Sequence, residues 1–206
     1  MGLKNSSAIF QQYIHTVLGT LRYECVLAYI DDLLIYSTTF EQHLSDVGRA
    51  LDRLATHGLE VKASKCHYFV RKVTFLGHQV TPEGVSINPD RIKAIRDMNI
   101  PENIKALNAF IGMTGYYRNY IKGYARIIQP LRDIITRDLP FDGTLTTAQQ
   151  DAFDEIRQIM ISDPILAHPD WTLPWEIHCD GCKHGLGAVL VNIDKKGQER
   201  TIAYAS

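Results

Sequence analysis

The sequence predicts an α+β protein in three sections: strands mixed with helices over residues 1–87, a helical module over 88–145, and an α/β region over 146–206. Three observations predict it. Two short apolar runs flank the adjacent carboxylates Asp31 and Asp32, Asn88-Pro89 opens a long stretch of helical periodicity, and three strand-like segments follow Pro174.

A chain that is 45% hydrophobic and 22% charged has the make-up of a folded soluble protein, long enough for one large domain or two to three small ones. No apolar run approaches the roughly 20 residues that cross a bilayer. The N-terminus lacks the basic-then-apolar layout of a secretion signal. The expectation is an intracellular protein, neither secreted nor membrane-borne.

Residues 7–20 carry Phe10, Ile14, Val17 and Leu18 at helical spacing, with Gly19 near the end. A helix so close to residue 1, with no strand before it, is what a chain cut from a longer one would show. Cys25-Val26-Leu27-Ala28-Tyr29-Ile30 and Leu33-Leu34-Ile35-Tyr36-Ser37 then read as a buried hairpin with Asp31 and Asp32 at its tip. From Phe40 to His57 the spacing turns helical, with Phe40, Leu44, Val47, Leu51 and Leu54 on one stripe. Thr38 and Glu41 fit a capping box, and Gly58 stands where a C-terminal cap belongs.

Strand-like pieces at 66–70 and 73–80 are joined by Arg71-Lys72 and closed by the turn residues Thr81-Pro82-Glu83-Gly84. Asn88-Pro89 supplies an N-cap and a first-turn proline, and the spacing stays helical to about residue 137. Residues 140–146 form a linker. Thr146 with Gln149 then starts a capped helix that stops at Asp163-Pro164. Segments 175–180, 187–193 and 201–205 read as successive strands, with Lys195-Lys196-Gly197 as a turn, and the chain ends in mid-sheet.

The net charge of -1 hides an uneven distribution. Residues 1–87 are balanced, 88–137 hold nine basic and four acidic groups, and 138–206 hold five and eleven. A basic middle suits a polyanion-binding element, although a solvated helix face gives the same count. Tyr116, Tyr117, Tyr120 and Tyr124 alternate there with Arg118, Lys122 and Arg126. Such a stretch either lays cations on phosphates and rings on bases, or packs its rings between helices and turns its cations to water.

The four cysteines do not form the dense framework of a secreted disulfide scaffold, so reduced thiols are expected. Cys179 and Cys182 make a C-x-x-C beside His178 and His184, but Cys25 and Cys66 supply no second ligand pair, and coincidence is favoured over zinc.

Adjacent aspartates at a hairpin tip repel one another, and each raises the other's proton affinity. Bound Mg²⁺ is the usual remedy, because it takes one or two carboxylates and completes its shell with water and phosphate oxygens. Taken alone, Asp-Asp in a turn is more often a solvated bend than a metal site. The setting decides otherwise. Tyr29-Ile30-Asp31-Asp32-Leu33-Leu34-Ile35-Tyr36-Ser37 resembles the signature hairpin of reverse transcriptases of gypsy-type long-terminal-repeat retrotransposons.

Further segments resemble the same family in order. Gly2-Leu3-Lys4-Asn5 with Phe10-Gln11 is similar to its nucleotide-pocket segment, and residues 62–66 with Phe75-Leu76-Gly77-His78 to the strands that grip the primer end. Residues 88–135, with Phe110-Ile111-Gly112 and Tyr116-Tyr117-Arg118-Asn119-Tyr120-Ile121, resemble thumb and connection. Asp163-Pro164-Ile165-Leu166-Ala167, Glu176-Ile177-His178-Cys179-Asp180 and Gly185-Leu186-Gly187-Ala188-Val189-Leu190 resemble the entry into ribonuclease H.

The resemblance implies a partial reverse transcriptase palm, a helical thumb and connection, and a truncated ribonuclease H-like α/β fold. The chain is then a fragment of an RNA-directed DNA polymerase with ribonuclease H, from a Pol polyprotein. Its partners would be an RNA template, a DNA primer, RNA–DNA hybrid, nucleoside triphosphates and the rest of that polyprotein, in a cytoplasmic element particle or the nucleus. Asp31 would bind Mg²⁺ directly, its neighbour Asp32 would have a lesser role at the metal, Tyr29 would meet the primer terminus, and Gly2 would border the nucleotide. Phe75, Leu76, Gly77, His78, Arg118, Lys122 and Arg126 would contact nucleic acid, the last three mildly favoured over the solvated alternative because the segment resembles the thumb.

Asp180 matches the first acid of the ribonuclease H metal site. On a period-two strand it shares a face with Glu176 and His178, opposite Ile177 and Cys179. The family's usual small residues after that acid are here Gly181-Cys182, and in isolation Asp180 is better described as a surface aspartate at a strand end. The family also takes a third polymerase carboxylate from a strand before the glycine matching Gly2, which this chain does not contain, so negligible polymerase activity is expected from it alone. The alternative is a non-catalytic, retroelement-derived module that binds nucleic acid or protein.

Overall fold

A computed structural model describes residues 5–182 and 185–206, which form two compact units divided between Phe75 and Leu76. In the first, helix α1 (Ser6–Leu18) and the single turn α2 (Leu21–Glu24) lead into the hairpin of β1 (Val26–Tyr29) and β2 (Asp32–Ile35). Its antiparallel register pairs Val26 with Ile35 and Tyr29 with Asp32, which leaves Ile30 and Asp31 as the turn. Alternation along β1 buries Val26 and exposes Leu27, so one face of the hairpin meets α1 and α3 (Phe40–Thr56). Ile14, Val17, Leu18, Leu21, Cys25, Val26, Ala50 and Leu54 form this unit's core.

Helix α3 differs from its sequence reading at both face and cap. The buried positions are Asp46, Val47, Ala50 and Leu54, while Phe40 and Leu44 are more than half exposed at 61% and 57%. A carboxylate can take a place in the buried stripe because Ser37 Oγ donates to it at 2.7 Å, Gln42 Nε2 at 2.8 Å and Arg49 Nη1 at 3.1 Å. Arg49 also pairs with Glu24, tying α2 to α3. The cap is Thr39 rather than Thr38, its hydroxyl accepting from the Gln42 N–H. Past the helix, a 3₁₀ turn (Ala63–Lys65) and the left-handed Phe69, at φ 54°, replace the strand expected over 66–70. Strand β3 (Val73–Phe75) ends the unit.

The strand expected over 73–80 is interrupted at Leu76 and Gly77, both left-handed at φ 48° and 76°. In the second unit β4 (His78–Thr81) pairs antiparallel with β5 (Gly84–Ile87), so the turn residues expected to close one hairpin open another. A second backbone joins β5: Val85 and Leu166 exchange N–H to carbonyl bonds of 2.8 and 2.9 Å. Gly84 permits this, because a Cβ there would lie 2.3 Å from the Leu166 oxygen.

Helices α4 (Pro89–Arg96), α5 (Ile104–Tyr116), α6 (Tyr124–Thr136) and α7 (Thr147–Ile161) carry the core that runs from Ile87 to Leu166. Asn88 caps α4 ahead of Pro89, and Thr146 with Gln149 forms the expected capping box on α7. Phe110 of α5 and Phe153 of α7 meet at the centre, ring centroids 4.6 Å apart. Strands β6 (Trp175–Cys182), β7 (Gly185–Ile193) and β8 (Glu199–Ala205) form an antiparallel sheet in that order. Among the described residues no helix is long and apolar enough to cross a membrane.

Candidate metal and nucleic-acid sites

Asp31 lies in the turn and Asp32 starts β2, so the hairpin puts both carboxylates at one tip, where both are exposed. Neither is in an ion pair among the described residues. Tyr29, opposite Asp32, is 52% exposed. Gly2 falls outside the described residues.

The bend itself is unusual. Ile30, a β-branched residue, sits at φ 51°, where hairpin turns ordinarily place glycine or asparagine. Gln11 of α1 meets it: its Oε1 accepts the Ile30 N–H, and its Nε2 donates to the Ala28 carbonyl at 3.0 Å. The two partners lie 19 and 17 positions away, so no local pattern in the sequence could have announced them. An open groove of about 630 Å³ borders the tip, lined by Ser6, Ser7, Phe10, Tyr13, Ile30 and Asp31 among others.

In the second unit the turn at Leu76 and Gly77 is held from the C-terminal end of α5. Tyr116 donates its hydroxyl proton to the Leu76 carbonyl at 2.6 Å, and Tyr117 donates to the Gly77 carbonyl at 2.9 Å. His78 stacks on Tyr116 and Tyr120, and its Nδ1 lies 2.8 Å from the Tyr120 hydroxyl. Burial holds the His78 imidazole below its ordinary range and pushes the Tyr117 and Tyr120 phenols up. Phe75, at the end of the first unit, is half-buried.

Of the alternating tyrosines, Tyr117, Tyr120 and Tyr124 are core residues, and only Tyr116 is exposed. Those three rings therefore pack rather than offer faces to bases. Arg118, Lys122 and Arg126 are exposed and pair with no acid among the described residues.

Asp180 lies on β6 opposite Gly187, exposed. Beside it His178 Nε2 is 3.3 Å from Glu176 and 3.7 Å from Glu199. The opposite face, with Ile177 67% exposed, is also uncovered. Cys179 is a free thiol, and the side chain of Cys182 and the whole of His184 fall outside the described part of the C-x-x-C segment. Among the described residues no group of three or more His, Cys, Asp or Glu could hold a metal ion. What the tip offers is two hard, exposed, adjacent carboxylates, a donor set suited to Mg²⁺ with the remaining positions left to water or phosphate.

Residues 1–80 match the family model described as reverse transcriptase (RNA-dependent DNA polymerase), and residues 145–206 match the RNase H-like domain found in reverse transcriptase. The chain is 36% identical over 189 residues to the retrovirus-related Pol polyprotein from transposon 297 of Drosophila melanogaster, covering 92% of this chain and 18% of that protein. It is 31% identical over 201 residues to that from transposon gypsy of the same organism, covering 92% and 19%. It thus spans about a fifth of the length of these relatives. Its fold is that of the foamy viral protease-reverse transcriptase solved with double-stranded DNA, at TM-score 0.83 and 23% identity over 100% of this chain and 35% of that one. The same viral protein solved with an RNA/DNA hybrid gives 0.81, at 23% identity over 100% of this chain and 27% of that one. Both families generally use divalent metals. With one domain model on each side of the helical region and Pol relatives along nearly its whole length, the chain carries the reverse transcriptase and RNase H-like domains of retrotransposon Pol polyproteins, with gypsy among its homologues.

Proposed function

We propose that this chain contributes the metal-carrying hairpin and part of the nucleic-acid track of an RNA-directed DNA polymerase with ribonuclease H. Asp31 and Asp32 would hold Mg²⁺, with Tyr29 beside the primer terminus. When bound, the metal stabilises the charge that develops on attacking and leaving oxygens in nucleotidyl transfer. The observation that carries the reading is the presentation of two exposed carboxylates at one tip, free of ion pairs among the described residues, on a bend held from α1. Asp180 would be the first acid of a hydrolytic site on β6. The turn at Leu76 to His78 would touch the strand near the primer end, and Arg118, Lys122 and Arg126 would meet phosphates. RNA template, DNA primer, hybrid and nucleoside triphosphates are the partners this chemistry takes.

On this reading the 206 residues would supply two polymerase carboxylates and one ribonuclease H acid. The chain alone should therefore give negligible magnesium-dependent primer extension, and robust incorporation would contradict the assignment. A second reading, a nucleic-acid-binding module without catalysis, is favoured by the three exposed cations with no acid partner among the described residues. Titration with RNA–DNA hybrid at two salt concentrations tests it, because phosphate contacts weaken as salt rises. Binding that ignores salt would rule it out.

A further inference from the structure

We propose that Gln11 is the positioning residue of the Asp31 and Asp32 pair, holding in shape the hairpin bend that carries both carboxylates at its tip. The inference rests on the metal-carrying reading of that pair. A strand presents the carbonyl of one residue and the N–H of the second residue on along the same edge. The Gln11 amide matches that spacing, accepting from Ile30 N–H and donating to Ala28 O, and so acts as a one-residue strand partner for the free edge of β1. It does so at the place where the backbone is least content, since Ile30 is β-branched and left-handed at φ 51°. Asp31 is the next residue and Asp32 the one after, so relaxation of Ile30 to ordinary φ would re-aim both carboxylates.

The side chain is itself held. Gln11 is half-buried, and its Nε2 lies 2.6 Å from Nε2 of His15, one helical turn on. The Gln11 amide thereby uses its oxygen on Ile30 and its nitrogen on Ala28 and His15. Methionine at this position would keep the length and apolar body of the side chain and lose both hydrogen bonds. A residue that merely tied α1 to the hairpin would change stability on removal and leave the shape of the tip alone.

The test uses the whole 206-residue chain, with Mn²⁺ alone as the probe and nuclear magnetic resonance as the readout. In Gln11→Met, exchange of the Ile30 amide should accelerate by about tenfold or more, as for a missing hydrogen bond. The Mn²⁺ concentration that half-broadens the Asp31 and Asp32 amides should rise by about tenfold, the worth of one well-placed ligand interaction. Amides of α3 should exchange as before. Unchanged Ile30 exchange, or a Mn²⁺ titration that overlays the unsubstituted chain, overturns the inference and leaves the metal reading standing. Absence of Mn²⁺ broadening at Asp31 and Asp32 in the unsubstituted chain overturns the metal reading and the inference with it. If Gln11→Met does not fold, Gln11→Glu keeps an oxygen for the Ile30 amide while replacing the donor to Ala28 by an anionic acceptor. Ile30 protection is expected to survive in it, and its loss overturns the inference.

Discussion

The Tyr117 hydroxyl donates a 2.9 Å hydrogen bond to the carbonyl of Gly77, 40 positions earlier in the chain. Gly77 is left-handed at φ 76°, and a Cβ on it would lie 3.0 Å from that same hydroxyl oxygen. Gly77→Ala should therefore destabilise the second unit by about 1–2 kcal/mol through backbone strain and crowding. Tyr117→Phe should cost about 1 kcal/mol, the worth of the bond alone. Urea midpoints at constant m-value would check both.

Gly84→Ala should be the more damaging change. The added methyl would stand 2.3 Å from the Leu166 carbonyl oxygen, a backbone atom that cannot turn aside. Either the Val85 and Leu166 bridge opens, breaking both its bonds, or β5 shifts. A loss of about 2–4 kcal/mol is expected, together with faster exchange of the Val85 and Leu166 amides. An unchanged thermal midpoint would contradict this account of the bridge.

Asp46 should make the first unit acid-sensitive. The Ser37 hydroxyl, then Gln42 and Arg49, hold its carboxyl below the usual aspartate range. A carboxyl lowered on folding stabilises the native state above the unfolded value of about 3.9, and that contribution fades as pH falls through the folded value. Asp46→Asn should thus lower the urea midpoint at neutral pH, and the gap to the parent should close in strong acid. A gap that widened on acidification would reverse the sign of the argument.

Replacement of Arg118, Lys122 and Arg126 by glutamine should weaken hybrid binding about equally for all sequences. For every phosphate no longer neutralised, the slope of log affinity against log salt should flatten by about 0.9 on B-form DNA. A triple variant with an unaltered slope would return these cations to the role of a solvated face.

Most of the secondary structure is legible in the sequence because its signals are local. Asn88-Pro89 and the Thr146 and Gln149 box mark helix starts where they occur, and the pairing of β1 with β2 follows from two apolar runs around a polar pair. Legibility fails where the deciding partner is distant or the backbone unexpected. The stripe on α3 departs from its apolar spacing because Asp46 is buried, which depends on Ser37 nine positions away. The segment 73–80 looks continuous because nothing marks Leu76, a γ-branched residue, as left-handed. Strand β5 escapes notice because its alternation is only four residues long and starts inside a turn signal. The carboxylate pair can be found from its setting, whereas Gln11 cannot, since its partners lie 17 and 19 residues on.

Aspartate-to-asparagine substitution at the tip, read by Mn²⁺ relaxation of backbone amides, tests the metal reading most directly. In the unsubstituted chain broadening should centre on Ile30, Asp31, Asp32 and Leu33 at low metal concentration, and Asp31→Asn with Asp32→Asn should abolish it while the rest of the spectrum holds. Broadening that centred elsewhere, or that survived removal of both carboxylates, would contradict it.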